Sequence, residues 1–95
     1  MREKEIENYF VKQVQEKNGI AIKLNSTTMS GLPDRLVLLP EGIVFFAELK
    51  APGQKPRTLQ QFVHCKLKKL GFDIYVIDSK QQVREVLANY EVYTA

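Results

Sequence analysis

The chain has 95 residues and a net charge of +3, which leaves room for one hydrophobic core and predicts a single domain over residues 1–95. Hydrophobic residues at 44% and charged residues at 26% exclude disorder over the whole length, and no apolar run approaches the ~20 residues that cross a bilayer. The opening Met1-Arg2-Glu3-Lys4-Glu5 carries no apolar leader, and the lone Cys65 excludes an internal disulfide or a cysteine-built zinc cluster, so an intracellular protein is expected. A pI near 9.1 permits nucleic acid as a partner without demanding it.

Residues 3–17 predict a first helix. Ile6, Phe10 and Val14 recur every fourth residue, and glutamates crowd its first turns, where the helix dipole favours them. Asn18-Gly19 stops it. Residues 20–24 read as a short strand, followed by a polar loop through Pro33. Residues 34–39 and 43–50 are apolar strands joined at Pro40-Glu41-Gly42, a turn that makes them a hairpin. A loop with Pro52, Gly53 and Pro56 follows.

Residues 58–70 predict a second helix with Leu59, Phe62, Val63, Leu67 and Leu70 on one face. Thr58 suits its N-cap, with Gln61 reaching back to complete a capping box. Gly71 ends the helix, and residues 72–77 are a fourth strand. Ser79 caps a third helix running to about Ala88, with Val83, Val86 and Leu87 inward. The tail from Asn89 is open between strand and coil. The order α-β-β-β-α-β-α predicts an α/β domain whose central mixed sheet is flanked by helices and covered on both faces of its hairpin.

Two charges interrupt this apolar pattern. Glu48 and Lys50 close the third strand, and a spacing of two places them on one face. If the turn is centred on Glu41, Leu39 faces Ile43, and the same register sets Asp34 across from Glu48. Opposed residues of an antiparallel pair lie ~4.5–5.5 Å apart at Cβ. Two carboxylates that close call for a proton or a cation between them, and hard oxygens suit Mg²⁺ or Mn²⁺. A slip of one residue would undo this geometry. The plainer alternative is a solvated ion pair at a strand end.

The run Gly31-Leu32-Pro33-Asp34-Arg35, then Glu48-Leu49-Lys50-Ala51-Pro52-Gly53, then Gln60 eleven residues before Gly71, resembles the VRR-NUC (virus-type replication-repair nuclease) family of the PD-(D/E)xK nucleases. The resemblance spans nearly the whole chain. It implies a restriction-endonuclease-like core and cleavage of DNA phosphodiesters dependent on Mg²⁺ or Mn²⁺, with no small-molecule cofactor. Stand-alone members, typically from phages and bacteria, resemble Holliday-junction resolvases, which implies branched DNA, a homodimer and the cytoplasm of a bacterial host or cell.

On this resemblance Asp34, Glu48 and the Leu49 carbonyl would hold the metal. Lys50 would orient a water and Gln60 would position a water or phosphate, with Gln61 the rival for that place. The first helix would add a glutamate. Glu3, three residues before the buried Ile6, is preferred over Glu7 and Glu5.

Residues 50–70 carry Lys50, Lys55, Arg57, Lys66, Lys68 and Lys69 and no acid. Lys55 and Arg57, on the loop beside Lys50, are expected to bind DNA phosphates. For Lys66, Lys68 and Lys69, phosphate binding stands level with a solvated helix end. His64 and Cys65, adjacent on a helix, point about 100° apart and cannot work as a pair. His64 is expected partly exposed and Cys65 at least half-buried. The competing class is a non-catalytic DNA-binding or assembly module, which would have no use for Asp34, Glu48 and Lys50 together. Tyr90, Val92 and Tyr93 are candidates for a dimer interface or for a cap on the core.

Overall fold

Apolar residues at helical spacing give α1 (Glu3–Glu16) a buried stripe of Ile6, Phe10 and Val14. Asn18 takes a left-handed φ of 63° and Gly19 N–H donates to the Val14 carbonyl, which ends the helix as its Asn-Gly pair predicts. These features come from a computed structural model that describes residues 1–25, 27 and 29–91. β1 (Ile20–Lys23), β2 (Arg35–Leu39), β3 (Ile43–Leu49) and β4 (Ile74–Ile77) form one sheet in the order β1-β2-β3-β4. The first three pair antiparallel, and β4 joins β3 in parallel through α2 (Thr58–Lys69). α3 (Lys80–Ala88) follows, with the Ser79 hydroxyl accepting from the Gln82 N–H. The expected order and the mixed sheet are both present, and each expected strand bound is met within two residues. No described helix is long and apolar enough to cross a membrane.

The hairpin register matches the expectation, with Leu39 opposite Ile43 and Arg35 opposite Ala47. Glu41 and Gly42 both take left-handed backbone at the turn, φ 69° and 77°. Alternation along the strands sorts the two faces. Val37, Leu39, Phe45, Ala47, Leu49 and Ile77 meet α1 and α3 in the main core, joined by Val83 and Leu87. Tyr90 stacks on Phe45 and its hydroxyl donates to Asp73, so of its two expected roles it caps the core. Val92 and Tyr93 lie outside the described residues.

The opposite sheet face carries Val44, Phe46, Glu48 and Val76, and it is covered only in part. Val44 and Val76 stay well exposed, so the expected burial of both hairpin faces holds on one side only. The reason lies in α2. Its inward stripe is Gln60, Val63, His64 and Leu67, at helical spacing, whereas Leu59, Phe62 and Leu70 face solvent. The expected apolar face is therefore mostly outward. His64 is buried, not partly exposed, and Cys65 is exposed, not buried. A helix whose inward face serves a polar site breaks the rule that apolar spacing marks the core.

Candidate active site

Asp34 sits at the end of a constrained segment. Gly31 has φ +86°, and a Cβ there would stand 2.8 Å from Val63 Cγ2 and 3.0 Å from the Leu59 carbonyl oxygen. Only glycine combines that backbone with such close approach to α2. Pro33 is fully buried, and the Asp34 carbonyl accepts from Leu24 N–H. Loop and strand together thus fix where the Asp34 side chain starts. Continuing the β2–β3 register by one residue sets Asp34 across from Glu48. Asp34 Oδ2 accepts the Leu49 N–H at 2.8 Å, a backbone anchor that residue type alone does not reveal.

Glu48 is 1% exposed, a charge-bearing group on the inner part of a strand. Its Oε2 accepts from Gln60 Nε2 at 3.0 Å and lies 3.5 Å from Lys50 Nζ. Its Oε1 is buried and has no hydrogen-bond partner. Burial, then the neighbouring Asp34 charge, push the Glu48 carboxyl up to about 7 against the opposing pull of Lys50. Both causes act in the same direction, because loss of solvent and a like charge nearby each disfavour the ionised form. Lys50 Nζ donates to Gln60 Oε1 at 3.1 Å, so one glutamine ties the lysine to the glutamate.

Gln60 has a third bond. Its Oε1 also accepts the Arg57 N–H at 2.9 Å, which makes it the residue that reaches back over the helix start. This corrects the expected capping box. Thr58 is the first helical residue, not the cap, and Gln61 instead donates to the Pro56 carbonyl. Gln60 therefore both closes the helix start and bonds Lys50 and Glu48. The loop before α2 is tethered from the far side, where Gly53 N–H donates to Asp78 Oδ2.

These groups line one open cleft of about 830 Å³. Glu3, Asp34, Glu48, Leu49, Lys50, Lys55, Arg57 and Gln60 all contribute to its wall. Lys66, Lys68 and Lys69 do not; Lys66 and Lys69 instead flank a smaller apolar groove with Phe62 and Cys65. Of the three N-terminal glutamates only Glu3 reaches the cleft wall. Glu7 pairs with Arg35, whose Nη2 lies 3.0 Å from Glu7 Oε2, and this pair between α1 and β2 has no clear mark in the sequence. Among the described residues no three His, Cys, Asp or Glu side chains gather closely enough to hold a metal ion by themselves. Asp34 and Glu48 are the two carboxylates that line the cleft beside Leu49 and Lys50.

His64 is the residue the sequence misjudges most. It is 6% exposed, and its Nε2 stands 3.7 Å from Glu48 Oε1. Burial, then the charges of Lys68 and Lys50, lower its pKa below the ordinary histidine value, so the ring is neutral near pH 7. Its distance of four from Gln60 is the only sequence signal that could have placed it here.

No family profile matches the sequence. A protein of Acyrthosiphon pisum secondary endosymbiont phage 1, named "Putative nuclease p44", is 45% identical over 80 residues, spanning 84% of this chain and 86% of that protein. A solved structure titled "VRR_NUC domain" superposes with a TM-score of 0.86 at 31% identity, over 94% of this chain and 97% of its own.

Proposed function

Because this chain belongs to the VRR-NUC family of nuclease domains, we propose that it is a metal-dependent DNA endonuclease worked by Asp34, Glu48, Lys50 and Gln60. One observation carries the reading. A glutamate buried to 1% exposure stands beside a second carboxylate where both line one open cleft. Buried charges of one sign are retained where a counter-charge binds. The residues fit a hard divalent cation, with Asp34, Glu48 and the Leu49 carbonyl as holders and Glu3 contributing directly or through water. Mg²⁺ or Mn²⁺ held there would supply an acidified water and an electrophile for phosphate charge.

The chain's own groups do the rest. Gln60 fixes Lys50 Nζ and Glu48 Oε2 relative to one another, so the lysine presents its positive charge beside the carboxylate. There it can orient a water and meet negative charge as it builds on phosphate oxygens. Lys55 and Arg57 on the cleft wall take flanking phosphates. Lys66, Lys68 and Lys69 lie farther along α2, in its last turn, where they would meet only longer DNA.

The finer reading is a homodimer acting on branched, Holliday-junction-like DNA inside the cell. Two copies related by a two-fold axis would supply two paired cuts, which one 95-residue domain cannot make at once. A nicking assay on supercoiled plasmid, with Mg²⁺, Mn²⁺ or chelator, tests the chemistry. Cleavage that needs the cation supports the proposal; DNA binding with no cleavage under any cation would reduce the protein to a binding module. Adding a four-way junction and its linear arms tests the substrate preference, and sedimentation at tens of micromolar with the junction tests the dimer.

A further inference from the structure

Two polar atoms in this molecule are buried and without a hydrogen-bond partner among the described residues, and they face one another. They are Glu48 Oε1 and His64 Nε2, 3.7 Å apart. Buried polar side-chain atoms are nearly always paired, so two orphans this close form one feature. Gln60 and His64 lie four apart on α2, hence on one face, and Gln60 already holds Glu48 Oε2. We infer that His64 is a positioning residue for the reaction proposed above, donating Nε2–H to Glu48 Oε1 so that α2 grips both oxygens of this carboxylate. The inference rests on that functional reading for its kinetic consequence, though the contact itself does not.

The gap is about 0.7 Å longer than a good N–H···O bond of about 3.0 Å, and such contacts in ligand-free sites are often long and tighten when the site is loaded. Donation leaves the carboxylate free for its other task, because each of its oxygens offers two acceptor directions. His64 does not line the cleft, whereas Glu48 and Gln60 do. It therefore acts through Glu48 and touches neither cation nor DNA. Outer partners of this kind set the direction of a ligating carboxylate, and removing one typically weakens metal affinity or activity about 10- to 100-fold.

The test compares His64→Gln, which keeps an amide N–H donor at similar reach, with His64→Leu, which fills the space with no donor. Mn²⁺ affinity is read by electron paramagnetic resonance without DNA, and cleavage by kcat and KM. The imidazole tautomer of the metal-free parent is read by nitrogen NMR at a pH where Glu48 is ionised. The expected results are a proton on Nε2, a loss of about 10- to 100-fold in Mn²⁺ affinity and kcat for His64→Leu with KM for DNA unchanged, and recovery of most of it in His64→Gln. A proton on Nδ1 only, parent-like Mn²⁺ binding by His64→Leu, or a glutamine variant as poor as the leucine one would overturn the inference. If His64→Leu fails to fold, the tautomer and the glutamine variant still decide. A parent that neither binds Mn²⁺ nor cleaves would sink the nuclease reading alone, and the tautomer would then decide whether His64 holds Glu48.

Discussion

Ionising Glu48 in the metal-free protein should cost stability, and replacing it should return that stability. Its carboxyl is raised from 4.5 to about 7 in the folded chain. Between those two values the folded state holds a proton that the unfolded state has released, so stability falls as pH rises through this window. At about 1.4 kcal/mol for each tenfold change in proton affinity, the full loss above pH 7 is about 3 kcal/mol. Glu48 is 1% exposed, so solvent screening removes little of it. Glu48→Gln keeps an oxygen to accept from Gln60 and never ionises. It should match the parent below about pH 4.5 and exceed it by roughly 2–3 kcal/mol above pH 7, a rise of roughly 10–20 °C in Tm for a domain this small. Urea denaturation of both proteins across that range, with chelator present, is the assay. Parallel stability curves would refute the argument that Glu48 is held against its own charge. Adding Mg²⁺ to the parent at a hundred times its Kd should restore about 2.7 kcal/mol above pH 7, and should leave the variant nearly unchanged.

Other outcomes follow from the same geometry. Asp34→Asn and Lys50→Ala should each lower cleavage by at least about 100-fold with the fold intact by circular dichroism; either one cutting at the parent rate leaves the mechanism. Lys55→Ala and Arg57→Ala should weaken DNA binding at low salt and each flatten the log–log salt dependence by about one, whereas Lys66→Ala and Lys69→Ala should change it less, as read by fluorescence anisotropy in a salt series. Gly31→Ala should cost about 2–4 kcal/mol, since it adds left-handed strain to a clash with Val63 and Leu59, and should lower kcat by displacing Asp34. A parent-like Tm for that variant would show that the loop yields without cost.

Much of this molecule is written in local patterns. The α1 stripe, the Asn18 and Gly71 stops, the Ser79 cap and the hairpin register each follow from a spacing or a turn residue that acts within a few positions. The register also carries the site, because once Leu39 meets Ile43 the pairing of Asp34 with Glu48 is arithmetic. What the sequence hides is the orientation of α2. Its apolar residues Leu59, Phe62 and Leu70 outnumber the inward Val63 and Leu67, so periodicity points to the wrong face. The correct face is polar at Gln60 and His64 because it covers a polar site, and only the tertiary arrangement says so. The capping error has the same root. Gln60 closes the helix start and also holds Lys50 and Glu48, and a reading that grants each residue one task assigns the cap to Gln61 instead. Glu7 and Arg35 find each other across 28 positions of sequence, a separation at which no local rule operates.

Asp34 and Glu48 should hold the cation together at the place where a DNA phosphate would complete its shell. Calorimetric titration of Mg²⁺ into the protein bound to uncleavable DNA, repeated for Asp34→Asn and without DNA, measures this directly. The expected result is a saturable site that tightens when DNA is present and is lost in the variant. Equal Mg²⁺ affinity in all three titrations would contradict it.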